Sequence, residues 1–493
     1  MFSTRTIRMS RAAMLATCSI FASTWSAAAA DLGGNCCADL EERVAELEAT
    51  AARKGNRKVS LQIYGQVSES VIWWNDGAEN NVYVVENQEV KNRLGFQGTA
   101  KINSDWSAGY KIELQVRAYR SSNTNQLALG ASNGVQIPTY NTQSVSLREA
   151  NWFIRSNTYG TVSVGRQTDA ADGVELINLA EPDGFARRGN ALGRTHLGFF
   201  LRRSGTTGNT GLSSLTWANA FHRSRSRTSD FAYSTDFSGV KYTSPFFLGQ
   251  TKSAGFQVQT SWGMDDTFGI ALRYTEQLGA FRLAAGIGYT QFTGPDILQC
   301  SNPSGAANVA TTTSSSADCW SLNGSASLMH QPTGLYVSAG AGELVDNNRN
   351  RVANLAASGL GSRISDTDSM WWVQGGWVAK LNTLGSTTFW GNYASYTSHG
   401  NVANQALSGL GATDQLNSFQ GAAASTVNVK TAESNSWGLG ITQDIDAAAM
   451  KLYLGFVNSS ADLTLINRNT LEQRKANSID DIQTFYTGAT IRF

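Results

Sequence analysis

Charge and proline are scarce in this sequence, and both shortages narrow what it can be. Only 16% of its 493 residues are Asp, Glu, Lys or Arg, and it has six prolines and four histidines. Beyond the N-terminus no stretch reaches the roughly 20 consecutive apolar residues of a membrane helix, which excludes helical spans there. The prolines (Pro138, Pro182, Pro245, Pro295, Pro303 and Pro332) fall in expected loops or at strand ends, as a closed hydrogen-bonded sheet requires. His196, His222, His330 and His399 are scattered, with no motif pairing them to a Ser or Asp and no ligand spacing to a cysteine. The chain is therefore read as a non-enzyme with no metal or other cofactor. The nearly balanced net charge gives no reason to expect a nucleic-acid partner.

Glycine and aromatics are plentiful: 48 Gly, 13 Trp, 15 Tyr and 21 Phe. A chain poor in charge and rich in both reads as a membrane β-barrel. Arg5, Arg8 and Arg11, the apolar run Ala12 to Trp25 and the small-residue site Ala27 to Ala30 form a secretory signal peptide, residues 1–30. Its removal takes away three arginines and no acid, so the formal charge passes from +1 to −2. Four cysteines remain. Cys300 and Cys319 bracket a Ser/Thr/Ala/Gly-rich segment and are expected to staple it; for adjacent Cys36 and Cys37, inter-subunit bonds and free thiols both stay open.

Residues 31–56 hold the one convincing helix. Leu40, Val44, Leu47 and Ala51 recur at steps of four, three and four, an a/d seam of about two heptads. Too short to stand alone, it reads as a periplasmic coiled coil joining identical subunits, or as a solvated amphipathic tail.

From Val59 the period becomes two. In Tyr110 to Tyr119, Tyr110, Ile112, Leu114, Val116 and Ala118 share one face, while Lys111, Glu113, Gln115 and Arg117 share the other. Sixteen strands are expected, at about 59–74, 90–102, 107–121, 143–156, 160–167, 236–245, 252–263, 266–277, 279–293, 319–331, 333–345, 368–382, 386–397, 433–444, 447–458 and 480–493. Their connections largely alternate short and long, as in an outer-membrane barrel spanning residues 57–493. The connection near Gly263 to Asp265 is too short for its side. Trp73, Trp74, Trp371, Trp372 and Trp390 sit near strand ends as candidate interface girdles. The third long loop, about 168–235, opens with five carboxylates and continues through Arg187, Arg188, Arg194, Arg202 and Arg203. Inside a wide barrel a folded-in loop narrows a water-filled lumen while its charges stay wet.

The chain ends on Phe485-Tyr-Thr-Gly-Ala-Thr-Ile-Arg-Phe493, an alternating strand closed by an aromatic, which looks like the assembly signal of outer-membrane proteins. Tyr159-Gly-Thr-Val-Ser-Val-Gly-Arg-Gln167 with its acidic loop resembles the fifth strand and third loop of general diffusion porins. Asp39 to Glu48, Asn56 to Leu61 and Ala100 to Trp106 resemble the alphaproteobacterial porin family. The resemblance implies a trimeric, all-β transmembrane antiparallel barrel in the Gram-negative outer membrane. It would pass small hydrophilic solutes and ions without energy input, amid lipid and lipopolysaccharide. It also implies an inward-folded third loop facing a basic wall. By position, Glu181 and Asp183 are the leading acids of the constriction, followed by Asp169, Asp172 and Glu175. The basic wall falls to Arg93 and Arg117, then Lys91, Lys111 and Arg148; Arg166 shares the apolar parity of Val162 and Val164. The arginines past Asp183, with those of Phe221 to Arg227, suit an anion-attracting mouth, lipopolysaccharide phosphates or a neighbouring subunit. Leu215 to Phe221 is a candidate further strand. Besides a passive pore, the readings left standing are a sugar- or anion-selective channel, a barrel enzyme and a structural tether.

Overall fold

The structure, a computed structural model, describes residues 58–117, 120–121, 124–127, 144–182, 184–186, 195–221, 236–264, 266–293, 318–347, 364–399, 410, 413–419 and 426–493. Its strands are β1 (Gln62–Asn75), β2 (Asn80–Glu86), β3 (Arg93–Lys101), β4 (Trp106–Arg117), β5 (Ser144–Ser156), β6 (Gly160–Thr168), β7 (Phe200–Arg202), β8 (Leu212–Thr216), β9 (Asp236–Thr243) and β10 (Gly255–Gly263). They continue with β11 (Thr267–Leu278), β12 (Phe281–Phe292), β13 (Cys319–His330), β14 (Leu335–Asp346), β15 (Thr367–Ala379), β16 (Thr387–His399), β17 (Val427–Ile445), β18 (Met450–Asn467), β19 (Gln473–Lys475) and β20 (Ile482–Arg492).

Sixteen of these close an antiparallel barrel in the order β1, β3 to β6, β9 to β18 and β20, with β20 returning to β1. At the seam the Gly65 N–H donates to the Phe493 carbonyl at 2.8 Å, and the Phe493 N–H returns the bond to Gly65 at 3.1 Å. β2 and β19 lengthen the sheet beside β1 and β18 at the long-loop end. β17 and β18 also run 19 and 18 residues, well past the expected 433–444 and 447–458. The coiled-coil positions Leu40, Val44 and Leu47 lie outside the described residues, as do Cys36, Cys37 and Cys300.

Alternation sorts each strand into two environments. Val67, Val71, Ile112, Val116, Leu272, Ile287, Leu454 and Ile491 are exposed on the outer face. Ser68, Ser70, Glu113, Gln115, Ser325, Ser327, Gln374 and Thr490 are buried on the inner one. Burying such an apolar side chain is worth about 1.5–3 kcal/mol, so an unbroken apolar belt facing water would be ruinous. Facing lipid it costs nothing, and closure leaves no unpaired sheet edge there. Adjacent tryptophans illustrate the rule and correct the girdle expectation. Trp371 stands 48% exposed outside, whereas Trp74, Trp372 and Trp390 point inward and are buried, because neighbours on a strand cannot share a face.

One end of the barrel carries tight turns. At Asn103 to Asp105 the Asn103 side chain accepts the N–H groups of Asp105 and Trp106, and Ser156 Oγ donates to Asp105 Oδ2 at 2.6 Å. The long connections gather at the opposite end, except that only three residues, 264–266, join β10 to β11.

At that opposite end the third loop builds a structured insert. β7 and β8 pair as a hairpin, and the chain then turns into a short helix, Trp217–Phe221. The strand considered at Leu215 to Phe221 thus ends at Thr216, and the rest is helical. Phe199, Leu201, Leu215, Trp217 and Phe221 pack in one apolar cluster with Trp74, Phe292, Leu344, Trp372, Tyr396, Leu463 and Ile482 from the surrounding wall. Arg202 is fully buried beneath the hairpin. Its Nε meets Asp76 Oδ2 at 2.8 Å, its Nη1 donates to the Gly208 carbonyl, and its Nη2 lies 3.3 Å from Glu79. Gln126 holds both Asp76 and the Phe200 backbone, while Ser213 and Ser214 donate to Asp414. The insert is tied in this way to other long loops.

Candidate pore constriction

The first half of the third loop follows the inner wall. The Ala170 N–H donates to Ser261 Oγ on β10, and Thr290 Oγ1 on β12 donates to Asp169. Arg273 on β11 donates to the Asp172 carbonyl. Ile177 and Leu179 give their N–H groups to Ser325 and Ser327 of β13, each at 2.9 Å. Asn178 bonds Gln374 of β15, which also donates to the Ala186 carbonyl at 2.8 Å. Lys451 of β18 then takes the Glu181 carbonyl at 2.8 Å, and Phe185 sits edge-on to Tyr486 of β20.

Small residues make this course possible. A Cβ on Gly288 would lie 2.8 Å from the Ala171 Cβ, and one on Gly286 would lie 2.7 Å from Ile177 Cδ1. With Ser325 and Ser327 beside them, these glycines leave a shallow groove in the wall that the loop fills.

The acids named from the sequence separate by burial. Asp169 and Glu175 are 2% and 1% exposed, so they belong to the seam between loop and wall rather than to the lumen surface. Asp169 lies in the loop, beyond β6. Burial, reinforced by Asp172, pushes its carboxyl up to about 7. Asp172 is half-buried and Glu181 exposed, the latter at a left-handed backbone position with φ of 44°. Asp183 lies outside the described residues.

On the wall, Arg93, Lys111 and Arg148 converge on two carboxylates. Arg148 Nη1 lies 2.5 Å from Glu113 and 2.6 Å from Glu149; Lys111 Nζ lies 3.0 Å from Glu149; Arg93 approaches Glu113 at 3.6 Å. Tyr64 of β1 donates to Glu113 at 2.9 Å. The convergence depends on a β-bulge. Glu113 pairs with Glu149 but Leu114 pairs with Leu147, so Arg148 is the extra residue. It turns inward beside Glu149 instead of alternating away from it. Three cations and two carboxylates leave this patch at +1, far less basic than the cations alone suggest.

Lys91 sits in the turn after β2, at φ of 62°, its N–H bonded to the Asn87 carbonyl. Arg117 ends β4 opposite Ser144; its side chain lies outside the described residues. Arg166 is on the outer face, as its parity requires, and donates to the Leu147 carbonyl at 3.1 Å. Lys241 and Arg273 are inward cations that the sequence reading did not name. Lys241 on β9 donates to the Thr168 carbonyl at 3.0 Å, and Arg273 on β11 lies in the field of Asp172, Glu175 and Asp169. Both sit on the polar parity of their strands, which was the available signal. Among the histidines, His196 is buried against Thr195 and the Trp217 ring, His330 bonds Thr333, and His399 bonds the Thr367 carbonyl.

Solved structures of similar fold include OprB of Pseudomonas putida at high pH, 10% identical with a TM-score of 0.52, covering 92% of this chain and 97% of that one. Others are an anion-selective porin from Comamonas acidovorans (13%, TM-score 0.48, 88% and 100% covered) and Salmonella typhi OmpF in complex with daunomycin (12%, TM-score 0.46, 88% and 98% covered). A search of curated protein sequences found no match. The family profile described as Gram-negative porin matches residues 12–490. With a closed sixteen-stranded barrel that is polar within and apolar without, the chain belongs to the Gram-negative porin family and forms a diffusion channel of the outer membrane.

Proposed function

We propose that the throat of this channel lies between the loop segment 169–186 and the wall of β3 to β6, and that small hydrophilic solutes and ions cross it passively. The observation that carries this is the run of bonds from the loop to inward residues of β10, β12, β13, β15 and β18, which holds the segment against the inner wall. Asp172 and Glu181 are the acids on its wet side, with Asp183 an expected third. Arg93, Lys111 and Arg148 lend the opposite wall its small positive excess, and Arg117 shares their parity. Opposed charges across a narrow throat give a transverse field that orders water and dipolar solutes and disfavours apolar ones.

The assembly is a homotrimer in this reading, joined in part through Leu40, Val44 and Leu47. Cys319, buried and disulfide-bonded, takes Cys300 as its partner. The short-turn end faces the periplasm, and the long loops meet lipopolysaccharide. The N-terminal motifs support a place among the alphaproteobacterial porins.

Single-channel conductance and reversal potential in planar bilayers test the throat. Removing a unit charge about 7 Å from an ion's path in water changes its energy by roughly 0.6 kcal/mol, about threefold in local concentration. Asp172→Asn and Glu181→Gln are expected to move the reversal potential toward anions on that scale, and an unmoved potential would place the throat elsewhere.

A further inference from the structure

Towards the short-turn end, the inner wall of β1, β3 to β6 and β9 is hollowed into a recess of about 490 Å³. Its charged lining is Lys111, Arg155, Lys241 and Glu149, three cations against one carboxylate, and its polar lining includes Asn151 and Gln167. The cations are not equivalent. Lys111 is paired with Glu149 at 3.0 Å and with Glu113 at 3.7 Å. Arg155 has no carboxylate within 4 Å among the described residues. Its Nε donates to Thr161 Oγ1 at 3.3 Å and its guanidinium lies 5.1 Å from the centre of the Phe153 ring. That ring braces the guanidinium without neutralising it. Lys241 is anchored by a neutral carbonyl, that of Thr168, and feels Asp172, Glu149 and Asp169 only at longer range.

The insert at the long-loop end sits against a different part of the wall from this recess. Its apolar cluster packs against the inner faces of β12 to β18, β20 and β1. Among the described residues, β3 to β6 and β9 contribute nothing to that cluster, so the wall between the charged patch and the recess is left uncovered by it.

We infer that this recess is a binding subsite for small anionic solutes, of the carboxylate or phosphate class, with Arg155 and Lys241 as its specificity-determining cations. An anion there gains two ionic contacts, one to a guanidinium otherwise set against Thr161 and an aromatic face and one to an ammonium otherwise bonded to a backbone carbonyl. Asn151, with one N–H on the Arg166 carbonyl at 3.4 Å, has a second amide hydrogen to give. The inference rests on the diffusion-channel reading and adds a selectivity to it.

Wild type, Arg155→Gln, Lys241→Gln and Arg155→Lys are compared in planar bilayers in KCl, titrating inorganic phosphate, succinate or glycerol from the short-turn side. The expected result is saturable block by phosphate and succinate and none by glycerol. The half-blocking concentration should rise about fivefold in each Gln variant, the loss of one ionic contact at ~4 Å in water, and return near wild type in Arg155→Lys. Block by phosphate alone or by succinate alone would still support the subsite and identify which anion it takes. The proposal is overturned by non-saturable block, by equal block with glycerol, or by Gln variants that block like wild type. Absence of any conductance in KCl alone would overturn the channel reading beneath it, and the proposal with it.

Discussion

At Asp169 a carboxylate leaves water at the point where the third loop departs from β6. Its pKa stands near 7 folded, against 3.8 as an ordinary Asp. A raised acid contributes stability that is fully present below the unfolded value and is lost as pH rises through the folded one. Melting in detergent should therefore be highest near pH 4 and decline until about pH 7. Asp169→Asn should flatten that slope while keeping a polar group opposite Thr290. A slope identical in both proteins would assign the pH dependence to other groups. At Glu113 the dominant interaction is Coulombic. This carboxylate meets Arg93, Lys111 and Arg148 together, so Glu113→Gln raises the patch from +1 to +2. Reversal potential should shift toward anions, in the same direction as Asp172→Asn although the change is on the other wall.

Among the elements, the third loop divides into two devices with separate supports. The stretch along the wall depends on Gly286 and Gly288. Gly288→Val drives atoms into Ala171 and Val174 and should displace the loop, changing single-channel conductance while the outer barrel still forms. The hairpin β7–β8 depends instead on Arg202. Removing Asp76 leaves a buried guanidinium with the Gly208 carbonyl and, for a counter-charge, the more peripheral Glu79, and breaking a buried pair costs about 3–5 kcal/mol. Asp76→Ala should make the long-loop end more sensitive to protease on intact cells, and Asp76→Ala with Arg202→Met should recover part of the loss. The strands were legible in sequence because inside and outside differ in chemistry at every second residue; the sixteen expected segments coincide with the barrel strands to within a few residues, except at the long tops of β17 and β18. The bulge at Arg148 was not legible, since the polar alternation of β5 survives on either side of it. Nor was the hairpin insert, whose apolar residues find partners only after the wall exists. Burial of Asp169 and Glu175 was hidden for the same reason: an acid in a loop reads as wet until its neighbours are placed.

For the whole molecule, the ring of strands is completed by the pairing of β1 with β20 and by two backbone bonds between Gly65 and Phe493. More than four hundred residues separate those partners, so the decisive contact is among the least local that the chain makes. A polypeptide still being synthesised has no final strand, and its N-terminal strands carry an open edge. The nascent protein must then be kept unpaired until its last residue has crossed the inner membrane, and insertion and ring closure become one event at the bilayer. A version shortened by its last twelve residues would be an aggregation hazard rather than a smaller pore.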